Sequence, residues 1–396
     1  MINSEVNSFL DDAEIEDWFE LEDDVVPPQK LTDDELSQKY ADMQIRIVRS
    51  TLDFTLHTLN ASIADKTYIN MAPEYQRRAR WDRKKKSLLI ESFLMNVPIP
   101  PLFLFENDYN QYEIMDGRQR MEAISDFLAN RFALTGLEFW PELRGKRFND
   151  LPSLIQRGLL RRTISAVVLL AETARTDVDF DIRMILFRRL NTGGVKLNPQ
   201  ELRNALYPGP FNQAIHELSR CDDFTAIWDI PRKSDNEDEN PSQILLKNAL
   251  YRSMMDCELV LRYFAIKDAV NDISRGALRE ILNKTLARYN KASDVEIEQL
   301  KNDFKLTLVR LRSALGDDFH RLSKGGQPSR PLYDALMVAT SELEAQDLSS
   351  NSAEIRLRLS SSLETPNEYE ILVGRGNTLE SIKNRVELAK KIIRGY

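Results

Sequence analysis

Apolar and polar positions follow two regimes along this chain. Between about residue 51 and residue 206, short apolar runs alternate with stretches of helical spacing. Leu102-Phe103-Leu104-Phe105, after Pro98-Ile99-Pro100-Pro101, predicts a buried strand. Tyr112-Glu113-Ile114-Met115 predicts a second strand, closed by Asp116-Gly117. Residues 120–128 place Met121, Ile124 and Leu128 on one helical face, and the β-branched run from Ile164 to Leu170 predicts a third strand. Residues 178–190 predict a helix that stops at Asn191-Thr192-Gly193-Gly194, where glycine supplies helix-ending geometry. Beyond residue 211 the strand signals fade, and residues 242–264, 275–289, 295–315, 331–345 and 378–393 carry apolar residues at helical spacing. The pattern predicts an α+β protein: an arm over residues 1–36, a mixed domain over 37–210 and a mainly α-helical domain over 211–396.

Charge sharpens this division. The first 35 residues hold thirteen Asp or Glu and one Lys, Lys30. Their apolar residues Phe9, Leu10, Ile15, Trp18, Phe19 and Leu21 allow a short docking helix, and the competing reading is a solvated acidic tail. Against a net charge of −8, Arg77, Arg78, Arg80, Arg83, Lys84, Lys85 and Lys86 fall within ten positions, so whole-chain charge says little about any one surface. No apolar run approaches the length of a membrane span, and the acidic N-terminus lacks a secretory pattern, which predicts a cytoplasmic chain without membrane contact. Cys221 and Cys257 are too few for a disulfide framework or a four-ligand zinc site. His57, His216 and His320 are dispersed, so no His-Asn-His nuclease centre assembles from local sequence.

Three segments are candidates for chemistry. At Asp116-Gly117-Arg118-Gln119-Arg120 a strand turns into a helix. A helix N-terminus offers unpaired N–H groups and the positive dipole end, glycine lets the backbone approach a ligand, and arginine forks match phosphate oxygens. Asp116 would repel a bare phosphate and reads instead as a ligand for magnesium or water. The plain alternative is an Asp-Gly turn followed by surface arginines. Tyr75-Gln76-Arg77-Arg78-Ala79-Arg80-Trp81, followed by Lys84 and Lys85, interleaves cations with an aromatic, as a nucleic-acid surface does. Lys84 and Lys85 also fit the wet start of a helix, and Trp81 a core position. In Asn191-Thr192-Gly193-Gly194 the glycine pair can cradle phosphates or simply cap a helix, and Asn198-Pro199-Gln200-Glu201 reads as a helix start.

Taken together and in this order, these segments resemble the N-terminal domain of GmrSD-type, modification-dependent restriction enzymes, a relative of ParB and sulfiredoxin. The resemblance rests on Tyr75-Gln76-Arg77, on Leu89-Ile90-Glu91-Ser92 with Val97-Pro98-Ile99-Pro100-Pro101, on Asp116-Gly117-Arg118-Gln119-Arg120, and on the stretch from Phe187 to Asn204. In the family signature, Asp-Gly-Gln-Gln-Arg, a glutamine stands where this chain has Arg118. Sulfiredoxins carry their cysteine at that same position, so thiol chemistry at this turn is ruled out. The resemblance implies a ParB/sulfiredoxin-like mixed domain that binds a nucleoside triphosphate (GTP, ATP or CTP) with Mg, as a switch or weak NTPase in anti-phage defence. It implies Asp116, Arg118 and Arg120 as catalytic residues, Asp116 as the metal ligand, and Gln76, Arg77, Gly117, Gln119, Asn191, Thr192, Gly193 and Gly194 around the nucleotide. Arg78, Arg80, Lys84 and Lys85 would meet DNA, and a partner nuclease would cut it; self-association is left open. The competing functions are a metal-dependent DNase using Asp116 with Glu122 or Glu201, and a non-enzymatic DNA-binding adaptor.

Overall fold

The computed structural model of the chain describes residues 10–20, 31–42, 49–65, 67–71, 81–170, 189, 198–235, 237, 241–271, 277–323, 325–343, 348–374 and 376–395. The chain divides into two compact units, Pro28–Leu197 and a second formed by Met1–Pro27 with Asn198–Tyr396. In chain order the elements begin with α1 (Asp12–Glu20), α2 (Asp33–Asp42), β1 (Arg49–Thr55), α3 (Leu56–Ala64), β2 (Ile69–Asn70) and α4 (Arg83–Leu94). Then come β3 (Leu102–Asp108), β4 (Gln111–Asp116), α5 (Arg118–Leu128), α6 (Ser153–Leu160) and β5 (Thr163–Leu169).

The first of these units is built on a mixed five-stranded sheet in the order β1-β5-β3-β4-β2. β1 pairs antiparallel with β5, β5 parallel with β3, β3 antiparallel with β4, and β4 parallel with β2. The three predicted strands are β3, β4 and β5. Alternation sends Leu102, Leu104, Tyr112, Ile114, Ile164, Ala166 and Val168 into one core. Leu56 and Leu59 of α3, Leu89, Ile90 and Phe93 of α4, and Met121, Ile124 and Phe127 of α5 fill the same core. The sequence pattern did not announce β1, because a sheet-edge strand needs little apolar content. Only Phe54 of that strand is buried.

The second unit is helical, as predicted. After α7 (Pro199–Leu206), α8 (Pro210–Ser219) and α9 (Asp222–Ile227), the expected helix over residues 242–264 is broken into three: α10 (Gln243–Lys247), α11 (Ala249–Arg252) and α12 (Met255–Asn271). Asn248 restarts the chain as an N-cap, accepting from the Tyr251 N–H, and Met254 sits at φ +60°, outside helical geometry. Apolar spacing passes through such breaks unchanged, so the periodicity alone could not place them. The remaining helices are α13 (Leu278–Tyr289), α14 (Asp294–Leu315), α15 (Arg330–Ser341), α16 (Ser352–Glu364), α17 (Pro366–Val373) and α18 (Leu379–Arg394).

α12 is buried on every side from Met255 to Ile266, Asp256, Glu258 and Arg262 included. Buried charges are tolerable only when paired. Glu258 meets Arg203 at 3.0 Å and Arg330 at 3.6 Å, and Asp334 meets Arg262 at 2.6 Å. For residues 12–20 the docking-helix reading of the acidic arm is the one observed. Leu10, Ile15 and Phe19 are buried in the helical core, Trp18 lies edge-on to Trp228 with ring centroids 6.2 Å apart, and Asp12 pairs with Arg252.

Candidate functional site

β4 ends at Asp116, and Gly117 turns the chain into α5 with φ +99°. A Cβ at Gly117 would stand 2.4 Å from the Leu102 side chain, so this position needs glycine for both backbone angle and space. Gly117→Ala is therefore expected to lower the stability of this unit by about 3 kcal/mol, read as a shifted denaturant midpoint. An unchanged midpoint would show that the turn relaxes without cost.

The N-cap position of α5 is Gly117, which has no side chain to cap the helix start. Two ion pairs define the turn. Arg120 Nη2 donates to Asp116 Oδ2 at 2.7 Å, and Arg118 Nε donates to Glu122 Oε1 at 2.7 Å. Arg120 also donates through Nη1 to the carbonyl oxygens of Pro100 and Pro101, which ties the proline-rich loop to the turn. Burial pushes the Arg120 guanidinium below its ordinary ionisation range, partly offset by the Asp116 carboxylate beside it. Asp116 keeps a third of its side chain in solvent, against 12% for Arg120. The exposed group is thus the acid, and the arginine behind it is a clamp.

Lys84 and Lys85 lie elsewhere. Asp82 caps α4 by accepting from the Lys85 N–H at 2.7 Å, and Arg83, Lys84 and Lys85 are exposed. Lys85 Nζ lies 4.9 Å from the centre of the Trp81 ring. Lys86 pairs with Asp126 at 2.7 Å, near the far end of α5. Eight residues separate Arg118 from Asp126, about 12 Å along a helix. The lysine cluster and the Asp116 turn therefore occupy opposite ends of α5. Four cations at a helix N-terminus oppose the helix dipole, a local cost that a bound polyanion would relieve. Gln76, Arg77, Arg78, Arg80, Asn191, Thr192, Gly193 and Gly194 lie outside the described residues.

Within the Leu89-Ile90-Glu91-Ser92 segment the acid has a structural role. Glu91 of α4 is buried, and its carboxylate accepts from the backbone N–H groups of Glu138, Phe139 and Trp140 at 2.8 to 3.1 Å. The signal was an acid among Leu89, Ile90 and Phe93 on a core-facing stretch, but its partners are 47 to 49 residues away. Glu91→Ala should strand three amides and lower stability by about 3 kcal/mol, measurable by thermal melting. Retention of the wild-type midpoint would refute that role.

The block from Asn198 to Asn204 serves the helical unit. Asn198 caps α7 by accepting from Gln200 and Glu201, Glu201 answers with a bond to the Asn198 N–H, and Arg203 meets Glu258. Glu201 is thereby spent on its own helix start, as its sequence signature indicated.

Among the described residues no three His, Cys, Asp or Glu converge to hold a metal, and no helix is long and apolar enough to cross a membrane. Residues 57–208 match the family model described as GmrSD restriction endonuclease, N-terminal domain. The search of curated proteins and the search of solved structures found no match.

Proposed function

Because residues 57–208 belong to the GmrSD restriction endonuclease N-terminal domain family, we propose that this chain is the nucleotide-binding component of a DNA restriction system, acting as a switch or weak NTPase that licenses cleavage by a partner nuclease. The observation that carries this reading is the turn at Gly117: a helix start with glycine at its N-cap, flanked by Arg118 and Arg120, with Asp116 paired to Arg120 beside it. The α5 N–H groups and the two guanidinium groups would take phosphate oxygens. Within the turn Asp116 and Glu122 cancel the charges of Arg118 and Arg120. A triphosphate would need further positive charge, which Arg77 and a magnesium ion would help provide on this reading.

Asp116 suits that ion. Magnesium commonly uses one or two protein carboxylates and takes its remaining ligands from phosphate and water, so a single exposed acid is a sufficient protein contribution. Bound there, the ion would neutralise charge on the phosphates. The chain's own residues would do the positioning: Arg120 holds Asp116, Arg118 and the helix start would orient the phosphates, and Asn191 to Gly194 are assigned to the nucleotide by the family resemblance. Phosphoryl transfer asks for no more than positioning and electrostatics. Arg78, Arg80, Lys84 and Lys85 form the DNA-facing surface of this reading, which implies an intracellular, cytoplasmic site of action. The DNase alternative is less well supported, since Glu201 caps α7 and Glu122 is bound by Arg118.

The test uses the purified full chain with GTP, ATP and CTP, each with and without Mg and DNA. Saturable binding of one triphosphate, with DNA left intact until a partner nuclease is added, is the expected result. Failure to bind any triphosphate, or metal-dependent DNA cleavage by the chain alone that Asp116→Ala abolishes, would overturn it.

A further inference from the structure

Away from the Gly117 turn, three side chains of the helical unit form a hydrogen-bonded chain. Cys257 lies in the first turn of α12, with its sulfur 3.5 Å from Nδ1 of His216 on α8. Nε2 of the same ring is 2.7 Å from Oδ1 of Asn204 on α7. Asn212 Nδ2 donates to that same Oδ1 at 2.7 Å. An oxygen that receives the Asn212 amide is the acceptor for His216 as well, so Nε2 carries the ring proton. Nδ1 then faces the thiol as an acceptor, and the Ser219 hydroxyl also lies 3.5 Å from the same sulfur. The order is nucleophile, base and orienting amide, the arrangement that activates a weak nucleophile. Cys257 is also the third residue of a 17-residue helix, where the dipole favours a thiolate.

We propose that Cys257 is a peroxide-reactive thiol, with His216 as its base and Asn204 as the positioning residue that fixes the ring. His216 Nδ1 takes the thiol proton, and the sulfur attacks one oxygen of a hydroperoxide. The O–O bond breaks, and the departing hydroxide takes the imidazolium proton and leaves as water. Sulfur is oxidised by two electrons to a sulfenic acid, and the peroxide is reduced. Cys257 is fully buried, whereas His216 is half-buried, so the site selects a small neutral oxidant such as hydrogen peroxide over bulky thiol reagents. The nearby charges are Asp256 and Glu258 on α12, Glu217 on α8 and Arg203 on α7. Arg203 is held by Glu258 at 3.0 Å and Glu217 by Lys301 at 2.6 Å, and Asp256 accepts the Cys257 N–H at 2.9 Å.

Cys221 is a control within the same chain. It is the more exposed of the two thiols, and burial together with Asp223 and Asp222 pushes its thiol up, against the opposing Phe224 amide and Lys305. Exposure therefore favours Cys221, and proton relay favours Cys257. The proposal is independent of the nucleotide reading and of any activity assay.

The full chain would be treated with limiting hydrogen peroxide across pH 5.5 to 9, trapped with dimedone, and both cysteine peptides quantified by mass spectrometry. The expected result at pH 7 is labelling of Cys257 at least about tenfold faster than Cys221, with the rise of its rate on going to alkaline pH centred at a lower pH than that of Cys221. A bulky aromatic disulfide should reverse the order. His216→Gln should slow Cys257 about tenfold and leave Cys221 unchanged, and Asn204→Ala should shift the Cys257 profile to higher pH. Faster labelling of Cys221 in the wild type overturns the proposal, as does an unchanged Cys257 rate in His216→Gln. Should circular dichroism show that a variant does not fold, the ratio of the two cysteines in the wild-type chain decides alone.

Discussion

Asp116→Ala is expected to lower phosphate release by about a hundredfold or more, close to 2.7 kcal/mol of barrier, while nucleotide affinity changes only a few-fold. The asymmetry follows from the geometry of the turn. On the proposed reading, phosphate oxygens would be held by the α5 N–H groups and the arginines, whereas Asp116, which pairs with Arg120 at the turn, would act on the ion or water needed only during transfer. Arg120→Ala should behave differently and weaken binding and turnover together. It removes a cation, releases Asp116 and unties the Pro100 and Pro101 carbonyls in one step. Arg120→Lys should recover little of either, because an ammonium cannot reach the carboxylate and both carbonyls from one planar fork. Single-turnover rates and equilibrium binding on the two variants separate these outcomes. Equal turnover in wild type and Asp116→Ala would place any hydrolysis at another site and end the assignment.

Acidification should destabilise the helical unit by up to about 5 kcal/mol between pH 6.5 and pH 3, through a single residue. Burial holds the His320 imidazole neutral and pushes its ionisation down to about 3 from an ordinary 6.5. The neighbouring charge of Arg321 adds to the effect, and Asp317 opposes it. The ring is packed against Trp228, 4.4 Å between centroids, and against Phe319 at 5.4 Å. Below pH 6.5 the unfolded chain binds this proton and the folded one does not. The contribution is therefore complete above about 6.5 and falls by about 1.4 kcal/mol per pH unit toward 3. Denaturant midpoints from pH 7.5 to pH 4.5 would show the slope, and His320→Phe, which keeps an aromatic ring in the stack, should flatten it. A slope equal in the two proteins would mean that other groups carry the acid sensitivity.

The same histidine marks where sequence reading stops. Periodicity and turn chemistry alone determined the α+β class, the three central strands, the start of α5 after Gly117 and the capped start of α7 at Asn198. Each of these depends on residues within a few positions of one another, and the physics of pleat, helix face and cap is equally local. The sequence also singled out Asp116-Gly117-Arg118-Gln119-Arg120 as a candidate for chemistry. What the arginines do there was not local. The Pro100 and Pro101 carbonyls lie 20 and 19 residues from Arg120, and only the fold brings them onto its guanidinium. Glu91 needed amides 47 residues and more away before its carboxylate had a purpose. The break at Asn248 and Met254 escaped the apolar pattern because burial on all sides of α12 makes every phase of a helix look the same. His216 and Cys257, 41 residues apart, looked unrelated in a chain of dispersed histidines and two cysteines. Tertiary packing decided their relation, because a 3.5 Å contact between helices depends on how their buried faces interlock, and residue spacing along the chain carries no record of that.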